Sequence, residues 1–201
     1  VYKRQSNASD LINTWTANGG SLDATDISTI QGTASDIESL YNSTGITGLG
    51  NEDINLFYSI PTAALLKRLD SYTSGNINSQ FLTSIKGKAS DLIIIYSSSG
   101  ISNLGNEAIN ITSGTATTSQ INTLAAATTG VITATISEGD MATLEGITES
   151  GNALAITVTD STVSAAALNT LDSKTTTDLT VTSSTITGTA ADLIAAYIAS
   201  G

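Results

Sequence analysis

The side chains available for chemistry in this chain are few in kind. It contains no His and no Cys, which excludes Ser-His-Asp and Cys-His nucleophilic centres, zinc sites of the usual ligands and histidine bases from these residues. Acid–base work would fall to carboxylates alone. These recur: Asp10, Asp36, Asp91 and Asp192 open one type of helical pattern, Glu52 and Glu107 sit in matching GLGNE segments, and Asp70, Glu145 and Asp172 follow a second helical pattern. A residue that returns at one position of a repeated unit needs an explanation that serves every copy. Helix capping does this for the aspartates near helix starts, at roughly 1 kcal/mol each. No catalytic, cofactor-binding or metal-ligating residue is therefore assigned.

Two further chemistries were weighed on the same residues. The GITGLGNEDI and GISNLGNEAI segments offer backbone carbonyls and Glu52 or Glu107 as hard oxygen ligands, so Ca²⁺ is the one metal alternative. They lack the dense Asp spacing of an EF-hand and the Gly-Asp nonapeptide of β-roll repeats, and turn glycines closing a longer coil are the preferred reading. They also lack a P-loop lysine, so they form no phosphate cradle. Trp15, Tyr41, Tyr96 and Tyr197 each lie five residues beyond an aspartate of the first set. Such a row stacks on glycans if exposed and forms an internal packing ladder if buried; equivalent positions of a repeat favour packing.

The elements that must position these groups follow from internal repeats. IQGTASDIESLYNSTGITGLGNED, from Ile30, recurs as IKGKASDLIIIYSSSGISNLGNEA from Ile85, 55 residues later, and again as ITGTAADLIAAYIASG from Ile186. A partial copy begins at Ala8. Between these lie AALLKRLDSYTSG from Ala63, SQINTLAAATTG from Ser119, EGDMATLEGITESG from Glu138 and AAALNTLDSKTTTD from Ala165.

Short alternations of period two mark strands: Leu22 and Ala24, Ile54 and Leu56, Ile109 and Ile111, Ile156 and Val158, Leu179 and Val181. Apolar residues at helical spacing follow, such as Ile37, Leu40 and Tyr41, or Leu168 and Leu171. Thr62, Thr117, Ser137 and Ser164 are predicted helix caps, and Thr33 with Asp36 and Thr189 with Asp192 form capping boxes, with Asn7 and Asp10 a variant. Lys88 breaks this pattern ahead of Asp91.

The fold class predicted is α/β: a repeat solenoid of short parallel strands and short helices, leucine-rich-repeat-like, with about 26 residues per coil. A β-helix is the alternative. One short strand cannot satisfy its backbone groups without neighbours, so the strands are expected to stack along one face and the helices along the other.

Composition agrees with thin layers. Hydrophobic residues make up 40% of the 201, enough to bury a core, yet aromatics are only 4%, so the core must be Ala, Ile, Leu and Val at short spacing. A net charge of −11 repels nucleic acid and anionic membranes, and no apolar run is long enough to span a bilayer. Charged residues are 12%, leaving Ser, Thr, Asn and Gly to form most of the surface, as in many exported proteins. The Ser/Thr alternation of ALAITVTDSTV and LTVTSSTITG reads as the solvated side of the strands.

Residues 1–5 (VYKRQ) resemble a translated transposase end sequence from sequencing-library preparation and are set aside as an adaptor artefact. Residues 6–201 are then a single tandem-repeat solenoid, expected to be a metagenomic fragment of a longer gene.

The phrases TGTAADLIAAYIASG and GITGLGNEA, with LNTLD and TTG between them, resemble tandem repeats in very large surface or secreted proteins of marine cyanobacteria and other aquatic bacteria. That resemblance implies a noncatalytic structural or adhesive segment, secreted or at the cell surface. Its partners would be neighbouring repeats of the same chain, and glycans or other surface proteins. The alternatives are a ligand-binding solenoid that recognises glycans or protein through its strand face, and the spacer region of a large exported hydrolase.

Overall fold

The computed structural model describes residues 4–199. The chain is α/β, with short parallel strands and eight helices among the described residues: α1 (Ala8–Ala17), α2 (Ala34–Tyr41), α3 (Ala63–Tyr72), α4 (Ala89–Ser97), α5 (Thr118–Ala125), α6 (Met141–Leu144), α7 (Ala165–Asp172) and α8 (Ala190–Ile198). No strand array closes into a barrel. Two compact units divide it. The first runs to Lys86 and includes Ile94–Glu107; the second holds Gly87–Ile93 and the chain from Ala108 onward. Helix α4 contributes residues to both.

The first unit is built on a parallel sheet of five strands, Arg4–Asn7, Ile27–Gly32, Asp53–Leu56, Ile77–Asn78 and Ile101–Ser102, in that spatial order. Arg4 and Gln5, two of the residues set aside from the sequence, pair there with Ile27 and Thr29. Because side chains alternate across a strand, the register fixes two rows. Ile30, Ile54, Ile77 and Ile101 align on the inner side, and Gln31, Asn55, Asn78 and Ser102 on the outer. The inner row is buried against Ile37, Leu40, Leu66 and Leu69 of the helices, and α1 packs on α2 and α2 on α3. A second, two-stranded parallel sheet pairs Leu22–Asp23 with Ile46–Thr47.

The second unit also sets short parallel strands beside helices. Ala108–Ile111, Ile132–Thr135 and Ala153–Ala155 pair in parallel, Thr157–Val158 pairs with Thr180–Val181, and Thr162–Ser164 with Thr185–Thr187. Ile109, Ile132, Leu154, Val158 and Val163 point inward with Ile121, Leu124, Leu168 and Leu171. Helix α7 packs on α8.

Of the predicted alternations, Ala24, Ile54, Leu56, Ile109, Ile111, Ile156 and Val158 are buried, Leu22 and Leu179 are half-buried and Val181 is exposed. The layout departs from one strand per helix. Strand partners in the five-stranded sheet advance by 24, 23 and 24 residues from Ile30 to Ile101, whereas helix starts from Ala8 to Thr118 advance by 26, 29, 26 and 29. The strand row therefore slips along the chain relative to the helices. Ile27–Gly32 runs almost directly into α2, residues 57–62 separate Asp53–Leu56 from α3, and a further strand, Ser84–Gly87, follows Ile77–Asn78 before α4. Lys86 of that strand bridges to Thr62.

Caps follow the sequence in part. Thr33, Thr62, Thr117 and Thr189 accept a backbone N–H at the third helical position, and Thr117 with Gln120 completes a reciprocal box. Asn7 and Ser164 occupy the N-cap without such a bond. Ser137 does not cap α6, because that helix begins only at Met141, and Asp140 accepts the Thr143 N–H instead at 2.9 Å.

Candidate functional site

The glutamates of the GLGNE turns are buried in the first unit. Glu52 has no exposed surface and Glu107 almost none. Gly50 N–H donates to both carboxylate oxygens of Glu52, at 3.0 and 2.9 Å, and Asn51 N–H donates to one at 3.1 Å. The Tyr41 hydroxyl donates to the other oxygen. Glu107 repeats the arrangement with Gly105 N–H at 3.0 and 3.1 Å, Asn106 N–H at 3.3 Å and the Tyr96 hydroxyl. Glycine is required at the turn, since Gly50 and Gly105 adopt φ of 127° and 133°, which aims the N–H at the carboxylate two residues on. Burial, and then the hydrogen bond and charge of Glu52, push the Tyr41 phenol well above its ordinary value. The two glutamates of the calcium alternative thus spend their oxygens on the protein's own donors. No three Asp or Glu side chains gather as a metal-holding group among the described residues.

The remaining sequence candidates are dispersed. Asp36 and Asp192 accept from the hydroxyls of Thr33 and Thr189 at 2.8 and 2.7 Å, and Asp10 accepts from Asn7 Nδ2 at 3.1 Å. Asp91 lies in the first turn of α4. Asp70 accepts from Ser98 Oγ at 2.7 Å, Glu145 ends α6 and Asp172 ends α7. Among the described residues Asp10, Asp36, Asp70 and Asp192 are each hydrogen-bonded to a different side chain.

The aromatic row splits by neighbour. Tyr41 and Tyr96 are held by their glutamates, and the Tyr41 ring lies 5.2 Å from that of Tyr72. Trp15 keeps its indole N–H buried without a partner. Tyr197 is 77% exposed.

A feature missed in the sequence is a carboxamide-lined groove on the outer side of the five-stranded sheet. It has a volume of about 250 Å³ and is bordered by Thr29, Asp53, Asn55, Asn76, Asn78, Ser102 and Asn103. Asn78 Nδ2 donates to Asn55 Oδ1 at 3.1 Å, Asn103 Nδ2 to Asn78 Oδ1 at 2.8 Å, and Ser102 Oγ to Asn76 Oδ1 at 2.5 Å. Asp53 accepts the Asn76 N–H at 2.8 Å. The row continues through Gln31, whose Nε2 donates to Asn7 Oδ1 at 2.8 Å. An amide ladder of this kind ties adjacent strands together. Its spare donors and acceptors suit neutral hydroxyl-rich ligands, and Asp53 is the carboxylate among its lining residues. The signal was present: an Asn or Gln follows each inward Ile at 30, 54 and 77. In the second unit Thr157 and Thr180 are exposed as the Ser/Thr alternation predicts, and Thr133 and Thr135 are exposed as well, in register with Asn110, Ala153 and Ala155.

Compared with known protein families, curated proteins and solved structures, the chain matches none.

Proposed function

We propose that this chain is a noncatalytic structural or adhesive segment of a secreted or cell-surface repeat protein, folded as a leucine-rich-repeat-like solenoid. The observation that carries the reading is the in-register isoleucine row, Ile30, Ile54, Ile77 and Ile101, repeated at nearly constant step and flanked by a matching outer amide row. Asp10, Asp36, Asp192, Glu52 and Glu107 serve their own segments at helix starts or as turn anchors, and Asp70 ties its helix to Ser98 after the next one, which is what a repeat scaffold needs. The Ser-, Thr- and Asn-rich exterior and the resemblance to aquatic bacterial surface repeats support export. Partners are then neighbouring repeats and extracellular surfaces.

A solenoid tolerates loss of a whole repeat, because each coil contacts chiefly its neighbours. Deleting residues 33–87, one 55-residue repeat, joins Gly32 to Lys88 and restores the wild-type phrase order. The shortened protein is expected to unfold cooperatively in urea with a smaller m-value, in proportion to the surface lost. A deletion product that does not fold would sink the solenoid reading.

The carboxamide groove favours a second reading, recognition of glycans through the strand face. Titration with neutral oligosaccharides, followed by the amide resonances of Asn55, Asn76 and Asn78, tests it. Shifts abolished by Asn78→Ala would support recognition, and silence across a panel would leave the amide row as a strand tie alone.

A further inference from the structure

Helix α8 is more exposed than its sequence equivalent α2. Ile194, Tyr197 and Ile198 are 61%, 77% and 73% exposed, and no residue of the helix is buried. Leu193 and Ala196 are half-buried where Ile37 and Leu40 of α2 are fully buried. Beside this face lies an open, mainly apolar groove of about 180 Å³ bordered by Leu168, Leu179, Val181, Ile186 and Tyr197, with Asn169 and Asp172 as its polar lining.

The rest of the chain shows what such a face receives. Helix α8 opens with the same reciprocal cap as α2, Thr189 with Asp192 matching Thr33 with Asp36, and Tyr197 stands at the position of Tyr41 and Tyr96. In both other copies that tyrosine donates to a glutamate 11 residues on, inside a Gly-Leu-Gly-Asn-Glu turn. After the turn at Glu52 the chain enters strand Asp53–Leu56, whose Ile54 and Leu56 are fully buried. An apolar groove with a phenol at its rim calls for the same two groups: alternating aliphatic side chains and a fixed acceptor.

We propose that the α8 face is the docking surface for a further coil of this repeat type, one presenting a Gly-Leu-Gly-Asn-Glu turn to the Tyr197 hydroxyl and an alternating apolar strand to the groove. The inference rests on the solenoid reading above. A purely aliphatic occupant would fill the groove but leave the phenol unpaired. A strand without the turn would lack the backbone N–H groups that hold the acceptor.

The test extends the full chain beyond Gly201 with a second copy of its own Ile46–Asn78 sequence, which places the copied glutamate 11 positions after Tyr197. Amide hydrogen exchange in α8 is compared with and without the extension. Exchange is expected to slow by about tenfold or more, and Glu→Gln within the copy should undo most of that slowing. Unchanged exchange in α8 would overturn the proposal, as would slowing indifferent to Glu→Gln. Sedimentation of the unextended protein covers the remaining occupant: a dimer with α8 already protected would assign the face to a second copy and overturn the proposal equally. The deletion of residues 33–87 reports on the solenoid independently. A deletion product that folds, beside an extension that protects nothing, refutes the docking surface alone.

Discussion

Glu52 and Glu107 have the strictest local demands in the chain, because a carboxylate removed from water must be met by donors. Gly50 N–H, Asn51 N–H and the Tyr41 hydroxyl supply them for Glu52. Glu52→Gln keeps the shape but turns one acceptor oxygen into an NH₂ facing backbone donors. A loss of about 1–3 kcal/mol is expected, the cost of buried groups left unpaired, read from urea denaturation; a change within error would show the turn to be indifferent to its charge. Tyr41 adds a pH dependence of definite sign. Its folded pKa is raised above the ordinary phenol value of 10.0 by burial and by Glu52, so its contribution is complete below pH 10 and is lost as pH rises beyond it, where the unfolded phenol ionises first. Tyr41→Phe should flatten the part of the alkaline decline in melting temperature that belongs to this residue. The sequence displayed the GLGNE phrase and the aromatic row separately. Their link was not legible, since it depends on a turn that brings residues 11 apart together, with Gly45, Gly48 and Gly50 all at positive φ between Tyr41 and Glu52.

Among the elements, the helices were the more legible part, since Thr33, Thr62, Thr117 and Thr189 cap where hydroxyls precede apolar periodicity. Ser164 stands at an N-cap yet makes no cap bond, a distinction of rotamer that residue type does not carry. Thr117→Ala is therefore expected to cost about 1 kcal/mol, while Ser164→Ala should stay within about 0.5 kcal/mol, the two compared by thermal denaturation at one pH. The strands were legible as alternation but not as register. Helix spacing reflects how much chain each link consumes, whereas strand pairing advances by the 23 or 24 residues between Ile30, Ile54, Ile77 and Ile101. Ile54 lies between two isoleucine neighbours in that row and is fully buried. Ile54→Ala should cost about 2–5 kcal/mol, in contrast to Ile194→Ala on the exposed face of α8, where no cavity forms.

At the scale of the whole molecule, charge and the exposed apolar surface oppose one another. A net charge of −11 at neutral pH keeps copies apart at distances within a Debye length, about 8 Å at physiological salt, and disfavours polyanionic partners. Exposed apolar side chains, Ile194 and Ile198 of α8 among them, favour non-specific contact between copies once that repulsion is weak. Acidification weakens the first effect and leaves the second, until near the isoelectric point of about 4.1 the repulsion is gone. Asp23 and Asp140 act in the same direction on folding. The hydroxyl and backbone N–H of Thr25, and likewise of Thr143, hold these carboxyls below the ordinary Asp value of 3.8. What they contribute is therefore present above pH 3.8 and lost as pH falls through their lower folded values. Self-association is thus expected to begin as pH approaches 4.1, before these two contributions fail. Sedimentation velocity across pH 7 to pH 3.5 would follow it, with Ile194→Ser and Ile198→Ser combined as the comparison. If α8 is the adhesive face, that pair shifts the onset to lower pH while the folded signal by circular dichroism is unchanged. An onset that ignores the pair would place the attraction elsewhere, and the Ser- and Thr-covered strand faces would be the next surface to alter.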